Sequence, residues 1–438
     1  MSEQFPPRRP PTRAETMAAR RPPRRTGRGR QGRTADRPSS RNRILVRRCI
    51  AGVLVVLIGF LIWLGISLGS ALTNPSLGAS PMSRFAEWGR AHGIGPAVTW
   101  LEKEWYALHP PKKGGAPGQG SFNAKGRTDL PGVSKSCPNA LPMPPRMVSP
   151  VIPALPGEGV WQPAGRPVAK CSAMFVTSVR PDTVHTSYTT GIAWMDPRLL
   201  RATLYSGSQI PGGSNFKYSA PVTASQAMSL VSAFNAGFRM GDSQGGYYTD
   251  HKTIAPLVTG KASAVVYKDG TMDVGAWGTQ VTMNPNVVSV RQNLDLIVNN
   301  GHMVPGLDSN DQSKWGATLG GTALVWRSGF GVTANGGLVY VGGPSLSITA
   351  LADLLQRAGC VRAMEFDMNV DWVNYVYFNQ AVGQPASAAN GQLLVNTATE
   401  QMTGGTSRYF ANWWTRDFYT MNARYAANAT SMNNPLPG

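Results

Sequence analysis

The rhythm of apolar and polar positions changes three times along this chain. Residues 49–72, CIAGVLVVLIGFLIWLGISLGSAL, run for 24 positions without a charge. A helix of about 20 apolar residues spans a bilayer, so the run predicts one transmembrane helix. The apolar core of a cleaved signal peptide is shorter, about 7–15 residues, and follows a shorter basic lead. Next come PMSRFAEWGRAHG and PAVTWLEKEWYALH, residues 81–93 and 96–109. Their amphipathic spacing predicts two short helices, the second opened by Pro96. Phe85, Trp88, Trp100 and Trp105 suit either an outer leaflet or the face of a following domain. Residues 110–170, rich in Pro, Gly and Lys, predict an irregular spacer and complete a juxtamembrane section, 73–170.

From about residue 171 the period shortens to that of strands. AMFVTSVR, VHTSYTTGIAWM and RATLYSGSQ alternate as half-buried strands do. TASQAMSLVSAF (223–234) predicts a helix capped at Thr223 or Ser225, with Ala227, Leu230, Val231 and Phe234 on one stripe. ASAVVYKDGTMDVGAW predicts a hairpin about Lys268-Asp269-Gly270, and TALVWRSGFGVTANGGLVYVGG a second about Ala334-Asn335-Gly336-Gly337. SLSITALADLLQRAG predicts a helix closed by Gly359. RYFANWWTRDFYTMN, in the aromatic C-terminal part, is expected to pack on the domain edge. Strands dominate, with helices set between hairpins rather than alternating with strands. The expected fold class for residues 171–438 is therefore α+β, on a mixed, largely antiparallel β-sheet.

Charge adds topology more than chemistry. Of the chain's formal +19, residues 1–48 contribute +12, from fifteen arginines against Glu3, Glu15 and Asp36. The remainder carries only +7, so a nucleic-acid reading rests on the tail alone, and no nucleic-acid partner is expected. That tail of Arg, Pro, Gly and Ser cannot bury enough apolar surface to fold. Arg41, Arg43, Arg47 and Arg48 precede the apolar run and neutral residues follow it. The positive-inside rule then predicts a single-pass cell-membrane protein, its N-terminus cytoplasmic and its C-terminal domain outside the membrane. Cys137 and Cys171 can pair in an oxidising compartment, whereas Cys360, in apolar sequence, reads as a buried thiol. No Cys/His zinc spacing occurs and the five histidines are scattered, so neither a metal nor an organic cofactor is implied.

The stretch GCVRAMEFDMNVDW (359–372) carries the candidate chemistry. Glu365 and Asp367 stand two apart in an apolar run, a spacing that puts both on one face of a strand. Burying such a pair is costly unless the strand opens into a cleft or the charges meet cations. Paired carboxylates in a cleft have their pKa values pushed apart, which suits acid/base work at an anomeric carbon. An edge strand with solvated acids, or ion pairs with Arg362 or Arg327, is the alternative. FNAGFRMGDSQGGYY (234–248) offers Asn235, which donates and accepts hydrogen bonds as sugar hydroxyls require, in a glycine-rich loop. Arg327 lies in an apolar strand, where its planar fork fits a phosphate or a carboxylate such as Glu365.

In this order, these three stretches resemble the phosphodiester glycosidase family over roughly residues 171–380. The family's namesake activity releases N-acetylglucosamine from a phosphodiester. NAGFR, RSGFGVTANGG and LADLLQRAGCVRAMEFD resemble its three motifs, placing Asn235, Gly237 and Phe238, then Arg327, Gly331 and Gly336, then Gly359, Ala363 and Asp367. The resemblance implies Asp367 as principal catalytic carboxylate, with Glu365 as partner acid or base. It implies Arg327 as phosphate holder or orienter, and Asn235, Gly237, Arg239, Asn369 and Asp371 as substrate-binding. The expected substrate is a cell-envelope glycan or sugar phosphate. Two departures matter. Glu365 stands where the family has Asn, and Met368-Asn369-Val370-Asp371 replaces its Gly-Gly-Gly-Ser. These leave a catalytically silent glycan-binding or scaffold protein as the alternative to a hydrolase.

Overall fold

The computed structural model describes residues 40–438 except 79, 123–135, 213–214, 310, 317–323, 382, 396–403, 412–415, 427–428, 430–434 and 437–438. The expectation of a disordered arginine-rich tail therefore falls mainly outside the described residues. Its last part is helical instead, because helix α1 (Ser40–Thr73) starts before the apolar run. Within α1, Arg43–Thr73 is long and apolar enough to cross a membrane. The chain divides into two units, Met1–Leu64 and Gly65–Gly438.

In the second unit the end of α1 is tied to helix α2 (Pro81–Ala91). Arg84 donates to the Leu72 carbonyl at 2.9 Å and the Trp88 indole to the Ser67 hydroxyl at 3.0 Å. Ser80 and Ser83 close a reciprocal capping box at the start of α2. Helix α3 (Gly95–Leu108) follows with Pro96 in its first turn, so both predicted helices are present. Trp88 and Val98 are buried, whereas Trp100 and Trp105 stay exposed.

Three antiparallel sheets form the body among the described residues. The largest runs Gln162–Ala164, Met174–Val179, Thr190–Met195, then Leu338–Leu346, Val325–Thr333 and Cys360–Glu365, ending with Leu296–Asn299 and His302–Met303. The second contains the predicted hairpin strands Ala262–Tyr267 and Met272–Ala276. The third is ordered Gly391–Leu393, Tyr375–Phe378, β1 (Leu230–Asn235), then Phe418–Ala423 and Leu200–Tyr205. A core of Phe234, Phe330, Tyr340, Phe366, Tyr375 and Tyr419 joins the first and third sheets. Phe234 stacks on Tyr375 at 5.3 Å and on Phe330 at 5.5 Å, the offset spacing aromatic rings favour.

One supersecondary unit positions the candidate chemistry. Strands β2 (Val325–Thr333) and β3 (Leu338–Leu346) form the predicted second hairpin. Helix α4 (Ile348–Arg357) starts at Ser347, whose hydroxyl accepts from the Ala350 N–H, and buries Ile348, Leu351, Ala352, Leu354 and Leu355. Gly359 takes φ +89°, a left-handed conformation that side chains resist, and turns the chain into β4 (Cys360–Glu365). β4 lies on the far side of β2 from β3, so α4 carries the chain across one intervening strand.

Two expectations are corrected. The helix predicted over 223–234 is one turn, Ala224–Ala227, followed by β1. Leu230-Val231-Ser232-Ala233-Phe234 is buried on both faces, and a short run without polar alternation fits helix and strand equally. The C-terminal aromatic stretch is not an edge: β5 (Phe418–Ala423) lies inside the third sheet, between β1 and Leu200–Tyr205, all six residues buried. Cys137 and Cys171 are disulfide-bonded, a pairing the sequence left open, and Cys360 is a buried free thiol, as the sequence predicts. The expected spacer also supplies core, since Leu141, Met147 and Trp161 pack under the first sheet.

Candidate active site

The end of β4 is held by hydrogen bonds that leave little freedom to the residue beyond it. The Phe366 N–H donates to the Ser328 carbonyl at 2.8 Å, and the Ser328 N–H to the Asp367 carbonyl at 2.7 Å. The Ser328 hydroxyl oxygen accepts from the Asp367 N–H at 3.1 Å and from the Asn235 amide at 3.0 Å. The Asn293 amide donates to the Glu365 and Phe366 carbonyls at 2.8 and 3.0 Å. Asn235 is itself fixed, its carbonyl accepting from the Tyr340 hydroxyl at 2.7 Å and the Asn374 N–H at 3.1 Å. Asn235 thus lies one step behind Asp367 and orients it through Ser328.

Asp367 is buried but borders a cavity of about 70 Å³. One carboxylate oxygen accepts from the Asn369 N–H at 3.0 Å, and the other from Arg416 at 3.0 Å. The Arg416 guanidinium lies 4.0 Å from the centre of the Trp372 ring, a cation–π contact that holds its plane. Burial pushes the Asp367 carboxyl up to about 7, although Arg416 and the Asn369 N–H act the other way. Desolvation outweighs a single well-placed cation here.

The expected substrate loop folds without glycine. Asp367 caps the Asn369 N–H, and the Asn369 side chain in turn caps the Asp371 N–H at 2.8 Å. Successive Asp and Asn side chains thereby supply turns that need no left-handed residue. Met368 packs against Gly316, where a Cβ would lie 1.9 Å from the Met368 methyl. Asp371 is buried beneath the loop, its carbonyl accepting from Arg408 at 3.0 Å.

The cavity's other walls come from Gly316 and three further segments. Glu87 and Arg90 of α2 join Glu102 and Tyr106 of α3; Phe238, Arg239 and Asp242 follow β1; Arg416 precedes β5. Glu87 is the hub. Its carboxylate meets Arg239 at 3.2 Å and both Arg416 and Arg90 at 3.4 Å. Burial works against the charge of Arg239, but Glu87 and Asp242 outweigh it and the guanidinium's pKa is raised. Arg90 also pairs with Glu102.

Of the residues predicted from sequence, Asp367, Asn369 and Arg239 line this cavity together. Glu365 and Arg327 do not line it. They form a fully buried pair, and Arg327 also donates to the Leu346 carbonyl at 3.0 Å. Burial raises the Glu365 carboxyl while Arg327 opposes the shift. The two acids diverge because β4 ends at Glu365, so the alternation of side chains that would align Asp367 with it stops there. Gly237 is a close-approach residue: a Cβ on it would lie 3.2 Å from the Arg291 guanidinium and from Asn293. Arg291 is in turn paired with Asp417 at 2.6 Å.

Comparison with known proteins gives fold likeness only. No family model and no curated protein matches this sequence. Solved structures do match. The catalytic domain of zebrafish N-acetylglucosamine-1-phosphodiester alpha-N-acetylglucosaminidase, auto-inhibited by its pro-peptide, is 17% identical with a TM-score of 0.39, over 60% of this chain and 88% of that one. A protein from Synechocystis is 14% identical with a TM-score of 0.31, over 60% and 64%. A protein from Burkholderia pseudomallei is 13% identical with a TM-score of 0.30, over 54% and 74%. The resemblance is one of distant fold, and no residue's role is taken from it.

Sequence reasoning missed Arg416 and Glu87. Arg416-Asp417 is a charged pair inside the aromatic run RYFANWWTRDFYTMN, and that contrast is the signal available. Glu87 carried no such signal, since a single acid on an amphipathic helix usually faces water.

Proposed function

We propose that this chain is a membrane-anchored hydrolase acting outside the cell membrane on sugar-1-phosphodiester or related glycosidic linkages of envelope glycans. In this reading α1 is the anchor, with the N-terminus cytoplasmic, as the arginines before the span favour. The observation that carries the reading is Asp367. It stands at the position the motif resemblance assigns to the catalytic carboxylate, borders a cavity, and has its pKa lifted to about 7. A carboxyl poised there holds a proton near neutrality and can give it to a leaving oxygen, the requirement for general acid catalysis. Arg416 then offsets the negative charge left on the Asp367 carboxylate.

The second reading, a glycan-binding protein without catalysis, is favoured by one observation. Met368 occupies the loop where the family places glycines, packed against Gly316. The test uses the full chain in detergent micelles with synthetic sugar-1-phosphodiesters, assayed for released sugar. Hydrolysis by wild type, lost in Asp367→Asn, is expected. Glycan binding by both proteins with release by neither supports the second reading and ends the first.

A further inference from the structure

Two arginines from distant parts of the chain converge beside Asp367 on one carboxylate that belongs to neither of their segments. Arg239 follows β1, Arg416 precedes β5, and Glu87 reaches them from α2. Arg416 uses one terminal nitrogen on Asp367 at 3.0 Å and the other on Glu87 at 3.4 Å. Arg239 uses one terminal nitrogen on Glu87 at 3.2 Å and its Nε on Asp242 at 2.9 Å. Charge-assisted N–H···O contacts settle near 2.7–2.9 Å when geometry permits. Both contacts to Glu87 are longer, as is that of Arg90 at 3.4 Å, so this carboxylate fits its cations loosely. Arg416 is buried, and its Nε has no hydrogen-bond partner among the described residues. An unsatisfied buried guanidinium nitrogen is costly and uncommon. Arg416 therefore keeps one N–H that neither Asp367 nor Glu87 uses.

We propose that Arg239 and Arg416 form an anion subsite for a tetrahedral oxyanion such as a phosphodiester, and that Glu87 holds this subsite as a tethered stand-in. A phosphate group spreads its charge over more oxygens than a carboxylate has, so it can take the N–H that each arginine now gives Glu87 and still accept from further donors. Arg416 spans the subsite and Asp367, so a phosphate seated on the arginines lies next to the acid. Arg90 meets Glu87 as well, but its pairing with Glu102 commits it elsewhere. The inference rests on the hydrolase reading for its substrate class. The subsite itself rests only on the three side chains. It also requires α2 to release Glu87 before a ligand enters. α2 is anchored to the end of α1 through Arg84 and Trp88, so that release involves the membrane-proximal segment.

The test is phosphate affinity, which needs no turnover. The full chain in detergent micelles is titrated with inorganic phosphate by calorimetry. Glu87→Gln, nearly isosteric, is expected to bind phosphate at least about tenfold tighter than wild type, a gain of about 1.4 kcal/mol. Adding Arg239→Gln to Glu87→Gln is expected to abolish the gain. Sulfate should compete with phosphate in Glu87→Gln, and a neutral sugar should not. Unchanged affinity in Glu87→Gln, or a gain that survives Arg239→Gln, overturns the subsite. If Glu87→Gln unfolds, wild type and Arg239→Gln are compared for the rise in melting temperature that phosphate gives. An equal rise in both overturns the subsite as well. Phosphate binding as expected, with no sugar released from any phosphodiester, leaves the subsite standing and removes the hydrolase.

Discussion

Asp367 combines three properties that rarely coincide in a carboxylate: burial, a cavity face and a cation at hydrogen-bonding distance. If its protonated form delivers the reaction's proton, activity falls as pH rises through about 7, because the acid is then lost. Asp367→Asn should reduce the rate by about 10²- to 10⁴-fold. The same shift has a stability consequence of defined sign. The folded chain keeps this proton from pH 3.8 up to about 7, whereas the unfolded chain has lost it. Stability from the protonated carboxyl is therefore present at low pH and declines as pH rises across that window. Denaturant midpoints should fall more steeply there for wild type than for Asp367→Asn. The Arg327–Glu365 pair calls for a different measurement. Removing one partner of a buried pair strands a charge, so Arg327→Met or Glu365→Gln should cost about 3–5 kcal/mol. The double variant Arg327→Met/Glu365→Leu should recover most of it. Recovery of stability with retained activity marks the pair as scaffold; recovery of stability without activity gives Arg327 or Glu365 a part in the chemistry.

At the scale of elements, the aromatic contact between β1 and its neighbours is what sets the site in place. Phe234 packs against Phe330, Phe366, Tyr375 and Tyr419, and the next residue, Asn235, reaches Ser328 and through it Asp367. Phe234→Ala should destabilise by about 3–5 kcal/mol in denaturant unfolding. It should also loosen Asp367, seen as a drop in activity under conditions where the protein remains folded. The elements also explain what was legible in the sequence. The second hairpin, α4 and β4 were readable because turn glycines, an N-cap and a 3.6-residue stripe all agree. β1 was not, because a strand buried on both faces has no alternation to display. β5 was not, because its sheet partners lie far away in sequence and nothing local marks a strand as interior. The site was legible in part for the same reason. Motif spacing placed Asp367, and Asn369 and Arg239, beside the motifs, line the same cavity. Arg416 and Glu87 come from segments 49 and 280 residues away from Asp367, beyond any local pattern.

At the scale of the whole molecule, residues 73–170 are joined to the sheets by covalent and polar links. The Cys137–Cys171 bridge closes a loop with a sequence separation of 34. Chain-entropy arguments give such a loop about 3–4 kcal/mol. The double variant Cys137→Ala/Cys171→Ala should lose about that much in denaturant unfolding under oxidising conditions, and wild type should match it after reduction. Within the second unit, the same α2 that bonds to Ser67 and Leu72 presents Glu87 to Arg239 and Arg416. The role of Asp367 is tested by the pH dependence of sugar release from a sugar-1-phosphodiester by the full chain and by Asp367→Asn. Wild type is predicted to be active with a limb that descends through about pH 7, and Asp367→Asn to be inactive throughout. Equal release by the two proteins, or a wild-type profile flat across neutrality, would contradict the assignment of Asp367 as the acid.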